Sequence, residues 1–352
     1  MKILITGNLG YIGAVAVPYF ATHGGFELHG FDIGYFKNIL TGPSPDIFLA
    51  QQHWGDLKSF FKSTHTFGRV NQSNHPNKKQ IEFLLKDVEA IIHLGALSND
   101  AMGFKFDQLT HQINTLGSLE LAAWAKKMGV PRFIFASSCS VYGNAGGRIK
   151  TETDIPNPLT AYAKSKLTVE LELKKMASPD FQVTALRFST AYGASSRLRL
   201  DLVLNDFVAT ALSEKKIKIQ SDGAPIRPLV HVKDIAKSLH WAMHRLGDDF
   251  CVLNIGSNNR NYSIKALAEA CADVLGNIQV EINPNALPDA RSYQVDFSKY
   301  QAMAPLHQPS INLDQAIEAL VKMCRGLDLS DRSRYIRLAA LEKSLADSTI
   351  LI

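Results

Sequence analysis

The chain has 352 residues, 46% of them hydrophobic and 20% charged, with a formal net charge of +5 at pH 7. This composition is ordinary for a globular protein and excludes a largely disordered chain. The longest apolar runs are too short to cross a bilayer, and the basic residues are dispersed, so we expect neither a membrane nor a nucleic-acid partner.

Cysteine usage and the N-terminus indicate the compartment. The four cysteines, Cys139, Cys251, Cys271 and Cys324, lack metal-ligand spacing, so we expect neither a disulfide framework nor a bound metal. Met1 leads directly into a strand pattern, with no small-residue cleavage site after it. These features predict a cytoplasmic protein.

The first 190 residues alternate short apolar runs with amphipathic stretches, the pattern of a doubly wound parallel sheet. The predicted strands are Lys2–Thr6, Glu27–Asp32, Ala90–Leu94, Arg132–Ser137 and Gln182–Arg187. The predicted helices are Tyr11–Thr22, Asp107–Met128 and Thr160–Met176. The polar, turn-rich segment Ser63–Gln80 interrupts the pattern; we interpret it as a surface excursion, with a lid or an oligomer contact as the alternative.

After Arg187 the pattern becomes mixed. Helices are predicted at Leu202–Glu214, Val232–Arg245, Ser263–Leu275 and Leu313–Arg325, and strands at Lys216–Gln220, Cys251–Ile255 and Gln279–Ile282. We therefore expect a sheet domain of residues 1–187 that also receives about 225–258. Residues 188–352 would form mainly a smaller, interleaved lobe that ends in a charged helix of unassigned purpose.

A glycine-rich turn follows the first predicted strand. Gly7 permits a tight turn, Gly10 lets the backbone approach a diphosphate, and Gly13 lets helix and strand pack closely, with Tyr11 and Ile12 between them. The N-terminus of the next helix favours phosphate. Asp32 ends the second strand, where a carboxylate binds the ribose hydroxyls of NAD and repels the extra phosphate of NADP. The turn therefore predicts an NAD site.

The spacing Gly-x-x-Gly-x-x-Gly resembles the extended short-chain dehydrogenase/reductases, the NAD-dependent epimerase/dehydratase family, and within it the nucleotide-sugar 4-epimerases. The resemblance continues through Gly55-Asp56-Leu57, His93-Leu94-Gly95-Ala96 and Asn114, although Gly95 stands where alanine is more usual. It implies a Rossmann-type α/β fold with a substrate lobe and a homodimer formed through two long helices. The further cofactor contacts that it implies are Asp56, Leu57, Leu94, Gly95, Ala96, Asn114, Tyr162 and Lys166.

Tyr162 and Lys166 are four residues apart and hence on one face of a helix. A neighbouring ammonium group and the positive nicotinamide ring both favour the phenolate of a tyrosine whose ordinary pKa is about 10. Tyr162 could then remove a proton from a sugar hydroxyl. By resemblance, Ser138 is the hydroxyl that hydrogen-bonds the reacting oxygen beside the tyrosine.

Two positions bear on the reaction class. In the related sugar 4,6-dehydratases, carboxylates commonly occupy the positions of Cys139 and Ser140, and decarboxylating relatives commonly carry glutamate at the Ser140 position. This chain has neither carboxylate. Cys139 could suggest thiol chemistry, but in 3,5-epimerases the cysteine aligns with Ser140, so we interpret Cys139 as a packing residue.

The resemblance also implies the substrate contacts. Arg227 matches the arginine that holds the substrate diphosphate, and Arg291 is a second candidate, because guanidinium groups bind phosphate oxygens bidentately. Ser140, Thr190 and Asn205 are candidate contacts of the sugar or diphosphate. The chain departs from the family at Thr190, where asparagine is frequent, and at Phe188, where a phenol is frequent.

The sequence thus predicts a nucleotide-sugar epimerase acting at C4 through a 4-keto intermediate with retained NAD. A dehydrogenase or keto-sugar reductase on the same scaffold is the alternative, since the fold cannot distinguish the two. A catalytically silent NAD-sensing protein would not need Ser138, Tyr162 and Lys166 together.

Overall fold

The computed structural model describes residues 1–60, 75–144, 146–283 and 292–346. Its strands are β1 (Lys2–Thr6), β2 (Glu27–Asp32), β3 (Gln51–Trp54), β4 (Ala90–His93), β5 (Arg132–Ser138), β6 (Ile149–Lys150), β7 (Gln182–Phe188), β8 (Thr190–Tyr192), β9 (Lys216–Ile219), β10 (Ile226–His231), β11 (Phe250–Ile255), β12 (Asn261–Ser263), β13 (Gln279–Ile282) and β14 (Gln294–Val295). Its α-helices are α1 (Gly13–Thr22), α2 (Lys78–Leu85), α3 (Asp100–Lys105), α4 (Asp107–Thr110), α5 (Ser118–Lys127), α6 (Ala161–Met176), α7 (Val203–Glu214), α8 (Val232–His244), α9 (Ile264–Leu275), α10 (Ser298–Met303), α11 (Leu313–Arg325) and α12 (Arg337–Ala346).

Seven strands form the central sheet, in the order β11-β7-β5-β4-β1-β2-β3. Every pair in it is parallel. The strand order reverses at β1, which lies between β4 and β2, so the crevice for a ligand opens at the carboxyl ends of β1 and β4. The doubly wound parallel sheet predicted from the sequence is confirmed, and the ends of the five predicted strands differ from the observed ends by at most one residue.

Apolar cores cover both faces of this sheet. One core includes Trp124 of α5, Val169 of α6 and Phe133 of β5. The other packs Phe20 of α1 and Leu239 of α8 against strand residues such as Ile5. Because both faces are buried, the inner strands β1, β4 and β5 carry apolar runs, which is why the sequence predicted them well.

The second lobe lies beyond the carboxyl ends of the strands. Helices α7, α9 and α11 pack together around a third core that includes Leu204, Leu267 and Leu320. The three-stranded sheet β12-β10-β8 joins this lobe to the sheet domain, since β8 follows directly after β7. Strand β11 and helix α8 come from the later part of the chain, yet β11 pairs with β7 in the central sheet and α8 packs on α1 and β5.

The predicted helix Asp107–Met128 is not continuous. A π-helical turn, His111–Gly117, separates α4 from α5. Tertiary contacts explain the wider turn: the Asn114 side chain bonds both backbone groups of Leu97, and Leu57 packs so closely on Gly117 that a Cβ there would lie 2.9 Å from the Leu57 Cβ.

The polar segment Ser63–Gln80 falls mostly outside the described residues, and α2 begins within it at Lys78. The sequence analysis missed β3, a polar edge strand of sequence Gln-Gln-His-Trp that pairs with β2. Among the described helices, none is long and apolar enough to span a membrane.

Candidate active site

The glycine turn connects β1 to α1 where three backbone segments meet. Gly7 has a positive φ of 72°, and a Cβ there would lie 2.6 Å from the backbone nitrogen of Gly95 on the turn after β4. A Cβ on Gly13 would lie 2.5 Å from the Cα of Asn8. Only glycine fits either position. The close backbone approach that glycine allows lets the turn pack against its neighbours, with the N-terminus of α1 facing the crevice.

A cavity opens at this point. Its lining includes the following residues predicted to bind the cofactor: Gly7, Gly10, Tyr11, Ile12, Gly13, Asp32, Asp56, Leu57, Leu94, Gly95 and Ala96. Neighbouring apolar side chains such as Ile33 and Ile113 complete the wall. Glycine backbone, a helix N-terminus and two carboxylates suit a dinucleotide, so the residues fit NAD.

Asp32 holds the turn as well as facing the cavity. One carboxylate oxygen accepts the backbone N–H of Leu9 at 3.2 Å, and the other accepts the N–H of Gly34 at 2.7 Å. Burial raises the pKa of Asp32, and these two hydrogen bonds oppose the shift. The bonds fix the carboxylate at the end of β2, where the sequence analysis predicted contact with ribose.

Asn114 lies behind the cavity wall. Its side-chain oxygen accepts the Leu97 N–H at 2.8 Å, while its amide nitrogen donates to the Leu97 carbonyl at 3.0 Å and to Ser165 Oγ at 3.3 Å. Asn114 therefore ties the turn after β4 to helix α6, one residue before Lys166. Its contact with the cofactor stays a prediction.

Ser138, Tyr162 and Lys166 form one group at the end of β5 and the start of α6. The Ser138 side chain lies beside the Tyr162 hydroxyl, where it acts to lower the pKa of Tyr162, and the Lys166 Nζ lies 5.8 Å from the Tyr162 ring centroid and 4.8 Å from that of Phe135. Thr160 caps α6 by accepting the Ala163 N–H at 3.1 Å. This cap fixes the helix start and hence the position of Tyr162.

Burial opposes ionisation in this group. It raises the pKa of Tyr162 to about 12, while the hydrogen bond from Ser138 and the charge of Arg199 act to lower it. Burial lowers the pKa of Lys166 to about 7, against the opposing effect of Glu170. The Tyr162 phenolate therefore needs further positive charge, which the oxidised nicotinamide ring of NAD carries.

Ser140 and Cys139, the two positions that bear on the reaction class, point their side chains to different surroundings. The Ser140 hydroxyl donates to Ser138 Oγ at 2.9 Å, so Ser140 belongs to the cluster of hydroxyl side chains beside Tyr162. Cys139 is fully buried, and its thiol donates to the carbonyl of Arg187 at 3.1 Å. Burial raises the pKa of the Cys139 thiol to about 12. The thiol thus lies in the packed interior.

The predicted substrate residues are distributed over the second lobe. Thr190 on β8 hydrogen-bonds Tyr293, and the Arg227 guanidinium on β10 lies 5.9 Å from the Tyr293 ring centroid. Arg291 lies outside the described residues. Asn205 is completely buried and bonds Gly193 and the Arg199 carbonyl, so we leave it out of the substrate contacts proposed below.

Sequence reasoning missed two arginines that line the cavity, Arg199 and Arg337. Arg199 donates to Asp201 through two nitrogens, at 3.0 and 2.8 Å, and to Ser98 Oγ at 3.0 Å. The alternation of Arg197, Leu198, Arg199 and Leu200 was the only available signal, since it places two arginines on one side of an extended segment. Nothing in the local pattern around Arg337 indicates a site.

Comparison with known proteins decides the family. The model of the NAD dependent epimerase/dehydratase family matches residues 3–256. The chain belongs to this family. The resemblance inferred from the sequence is thereby confirmed, and NAD is the cofactor.

Individual relatives include more than one activity. The chain is 24% identical over 320 residues to the UDP-glucuronate 4-epimerase of Thermodesulfobacterium geofontis, covering 90% of this chain and 94% of that protein. It is 23% identical over 351 residues to UDP-glucuronic acid decarboxylase 6 of Arabidopsis thaliana, covering 97% and 91%. Among solved structures, MoeE5 in complex with UDP-glucose and NAD is similar, with a TM-score of 0.74, 25% identity, and 92% of this chain and 99% of that chain covered.

Proposed function

We propose that this enzyme epimerises a nucleotide-sugar at C4 and retains its NAD through turnover. The observation that carries the proposal is the group of Ser138, Tyr162 and Lys166 with the Ser140 hydroxyl beside it. The named relatives that act on UDP-sugars support a nucleotide-sugar as the substrate.

The surroundings of Tyr162 favour hydroxyl oxidation over elimination. Removing water next to a ketone needs an acid for the leaving hydroxyl and a base for the neighbouring C–H proton. Ser140 supplies neither, and the Cys139 thiol is bonded to a backbone carbonyl. The Glu170 carboxylate is buried and paired with Arg187 at 2.6 Å, and Asp100 accepts the Thr160 hydroxyl at 2.6 Å.

In the proposed mechanism, Tyr162 takes the proton of the C4 hydroxyl, and Ser138 hydrogen-bonds the same oxygen. Protonated Lys166 stabilises the phenolate beside it. When bound, NAD would supply the hydride acceptor and donor for C4. Tyr162 then gives the proton back to the oxygen after the sugar has presented its other face.

The substrate lobe holds the nucleotide while the sugar turns. We assign Arg227 to the substrate diphosphate and Thr190 and Ser140 to the sugar, and we keep Arg291 as a second candidate for the diphosphate. The Arg227 guanidinium lies 5.9 Å from the Tyr293 ring centroid, and this contact limits its freedom. The division into a sheet domain and a substrate lobe, and the homodimer through the long helices, stay predictions.

A label-crossover experiment tests the reaction class. An equimolar mixture of unlabelled nucleotide-sugar and nucleotide-sugar that carries both a C4 deuterium and a ¹³C-labelled sugar ring is incubated with enzyme, and the products are weighed by mass spectrometry. The ¹³C tag identifies the parent molecule, so deuterium in an untagged product would reveal crossover. We expect inversion at C4, retention of label within each molecule, and no free NADH. Accumulation of NADH would favour the dehydrogenase alternative, and a product lighter by water or carbon dioxide would refute the proposal.

A further inference from the structure

The C-terminal segment reaches the cofactor cavity. A 3₁₀ turn, Arg332–Tyr335, leads into α12, whose first residue is Arg337. The Arg337 side chain is only 1% exposed and lines the same cavity as Gly10, Tyr11 and Asp32, more than three hundred residues earlier in the chain. An arginine at the start of a terminal helix is ordinarily solvent-exposed, so its burial at this point requires a reason.

The contacts of Arg337 leave one end of its guanidinium without a partner. Nη2 donates to the carbonyl of Arg197 at 2.9 Å, and the guanidinium lies over the Phe36 ring, 4.7 Å from its centroid. Nη1 is buried and has no hydrogen-bond partner among the described residues. A buried, unpaired donor on a charged group is costly, so such a group indicates a ligand that satisfies it.

The charges around Arg337 indicate that this ligand is an anion. Arg199 is paired with Asp201 and Arg197 with Asp46, but no carboxylate of the described residues forms an ion pair with Arg337. Burial, together with the nearby positive charges of Arg199 and Arg197, lowers the pKa of Arg337 to about 9, against the opposing charge of Asp201. Arg337 thus places a buried guanidinium at the cavity without an ion pair to a carboxylate of the described residues.

The position of this charge selects the diphosphate of the dinucleotide. The same cavity contains the glycine turn and the N-terminus of α1, both of which favour phosphate, and Asp32 at its ribose end. Arg227, assigned above to the substrate diphosphate, is not part of this cavity lining. We propose that Arg337 binds the diphosphate of NAD through Nη1, so that the C-terminal segment Arg332–Ala346 fastens the cofactor in its cavity.

Contacts on both sides of the cavity hold the segment Arg332–Ala346 in place. Arg332 pairs with Asp206 of α7 and donates to Thr210 at 2.8 Å, and the Tyr335 carbonyl accepts the Leu200 N–H at 3.0 Å. On the other side, Leu341 is buried in the core of the sheet domain, and Ser344 donates to the Tyr35 carbonyl at 3.2 Å. The segment therefore bridges the two lobes across the cofactor, and release of NAD requires it to detach.

Calorimetric titration of the NAD-free enzyme with NAD, ADP and adenosine tests the proposal, which rests on the cofactor and not on the reaction. Because a hydrogen bond to a charged group contributes about 1.5–3 kcal/mol, Arg337→Gln should raise the Kd of NAD and ADP about ten- to hundredfold. The Kd of adenosine, which has no phosphate, should stay unchanged. Arg337→Lys should restore part of the affinity, and the matched control Arg334→Gln, at an exposed position of the same segment, should change none of the three.

Two outcomes would overturn the proposal. Unchanged NAD affinity in Arg337→Gln would show that Nη1 does not contact the diphosphate, and equal losses for adenosine and NAD would show a merely structural role. Hydrogen exchange of the wild-type enzyme keeps the proposal testable if the variant does not fold. NAD and ADP should slow amide exchange in residues 332–346, whereas adenosine should not; equal exchange with all three ligands would contradict the proposed clamp.

Discussion

Lys166 allows a quantitative test of the electrostatics at the candidate active site. Its ammonium group is buried between Phe135 and Tyr162, and burial lowers its pKa from 10.5 to about 7. Since each pKa unit corresponds to about 1.4 kcal/mol, keeping this lysine charged costs the folded NAD-free enzyme about 5 kcal/mol. This cost is present below pH 7, where both the folded and the unfolded chain hold the proton.

The cost must fall as the pH rises from about 7 towards 10.5. In this window the unfolded chain keeps its proton while the folded enzyme has lost it, so the free energy of unfolding increases with pH. Between about pH 7 and about pH 9 the contribution of Lys166 should amount to about 2 kcal/mol. Lys166→Met removes the titrating group and should remove this increase.

Urea denaturation of the NAD-free wild type, Lys166→Met and Lys164→Met at the two pH values measures the effect. Lys164 lies on the same helix but is exposed, so its variant should follow the wild type. The informative quantity is the difference in pH dependence between wild type and Lys166→Met, because the other titrating groups cancel in it. If the two proteins show the same pH dependence, Lys166 keeps an ordinary pKa and the reasoning about its burial is wrong.

Three further outcomes are expected. Tyr162→Phe should lower kcat at least about thousandfold while NAD affinity measured by fluorescence titration changes little, because only the titrating hydroxyl is lost; near-native turnover would remove Tyr162 from the mechanism. NADP should bind about a hundredfold more weakly than NAD, since the fixed Asp32 carboxylate repels a 2′-phosphate, and Asp32→Asn should narrow that gap; equal affinities in the wild type would contradict the assignment. Arg227→Ala should raise KM for the nucleotide-sugar about tenfold or more with NAD affinity unchanged, whereas Arg325→Ala, at an exposed position, should leave both unchanged; an unaltered KM in Arg227→Ala would show that Arg227 does not hold the diphosphate.

Local sequence patterns determined much of the sheet domain. Short apolar runs mark the buried strands, such as Ile3–Ile5 in β1 and Phe133–Ala136 in β5, so β1, β2, β4, β5 and β7 were predicted to within a residue. The glycine turn and the Tyr-x-x-x-Lys spacing could also be identified, because each is a short local motif. Gly13 is required by a backbone contact within its own turn, with Asn8, whereas the contact that requires Gly7 is with Gly95 on the turn after β4.

Long-range packing decided the remainder. The π-helical turn at His111–Gly117 follows from contacts of Asn114 and Gly117 with distant residues, which no helical periodicity encodes. The direction of the Cys139 thiol and the pKa of Lys166 depend on what surrounds them in space. Arg337 is the clearest case: only the folding of the C-terminal segment across both lobes brings it to a turn formed by the first residues of the chain, where its charge becomes buried and lacks a carboxylate partner among the described residues.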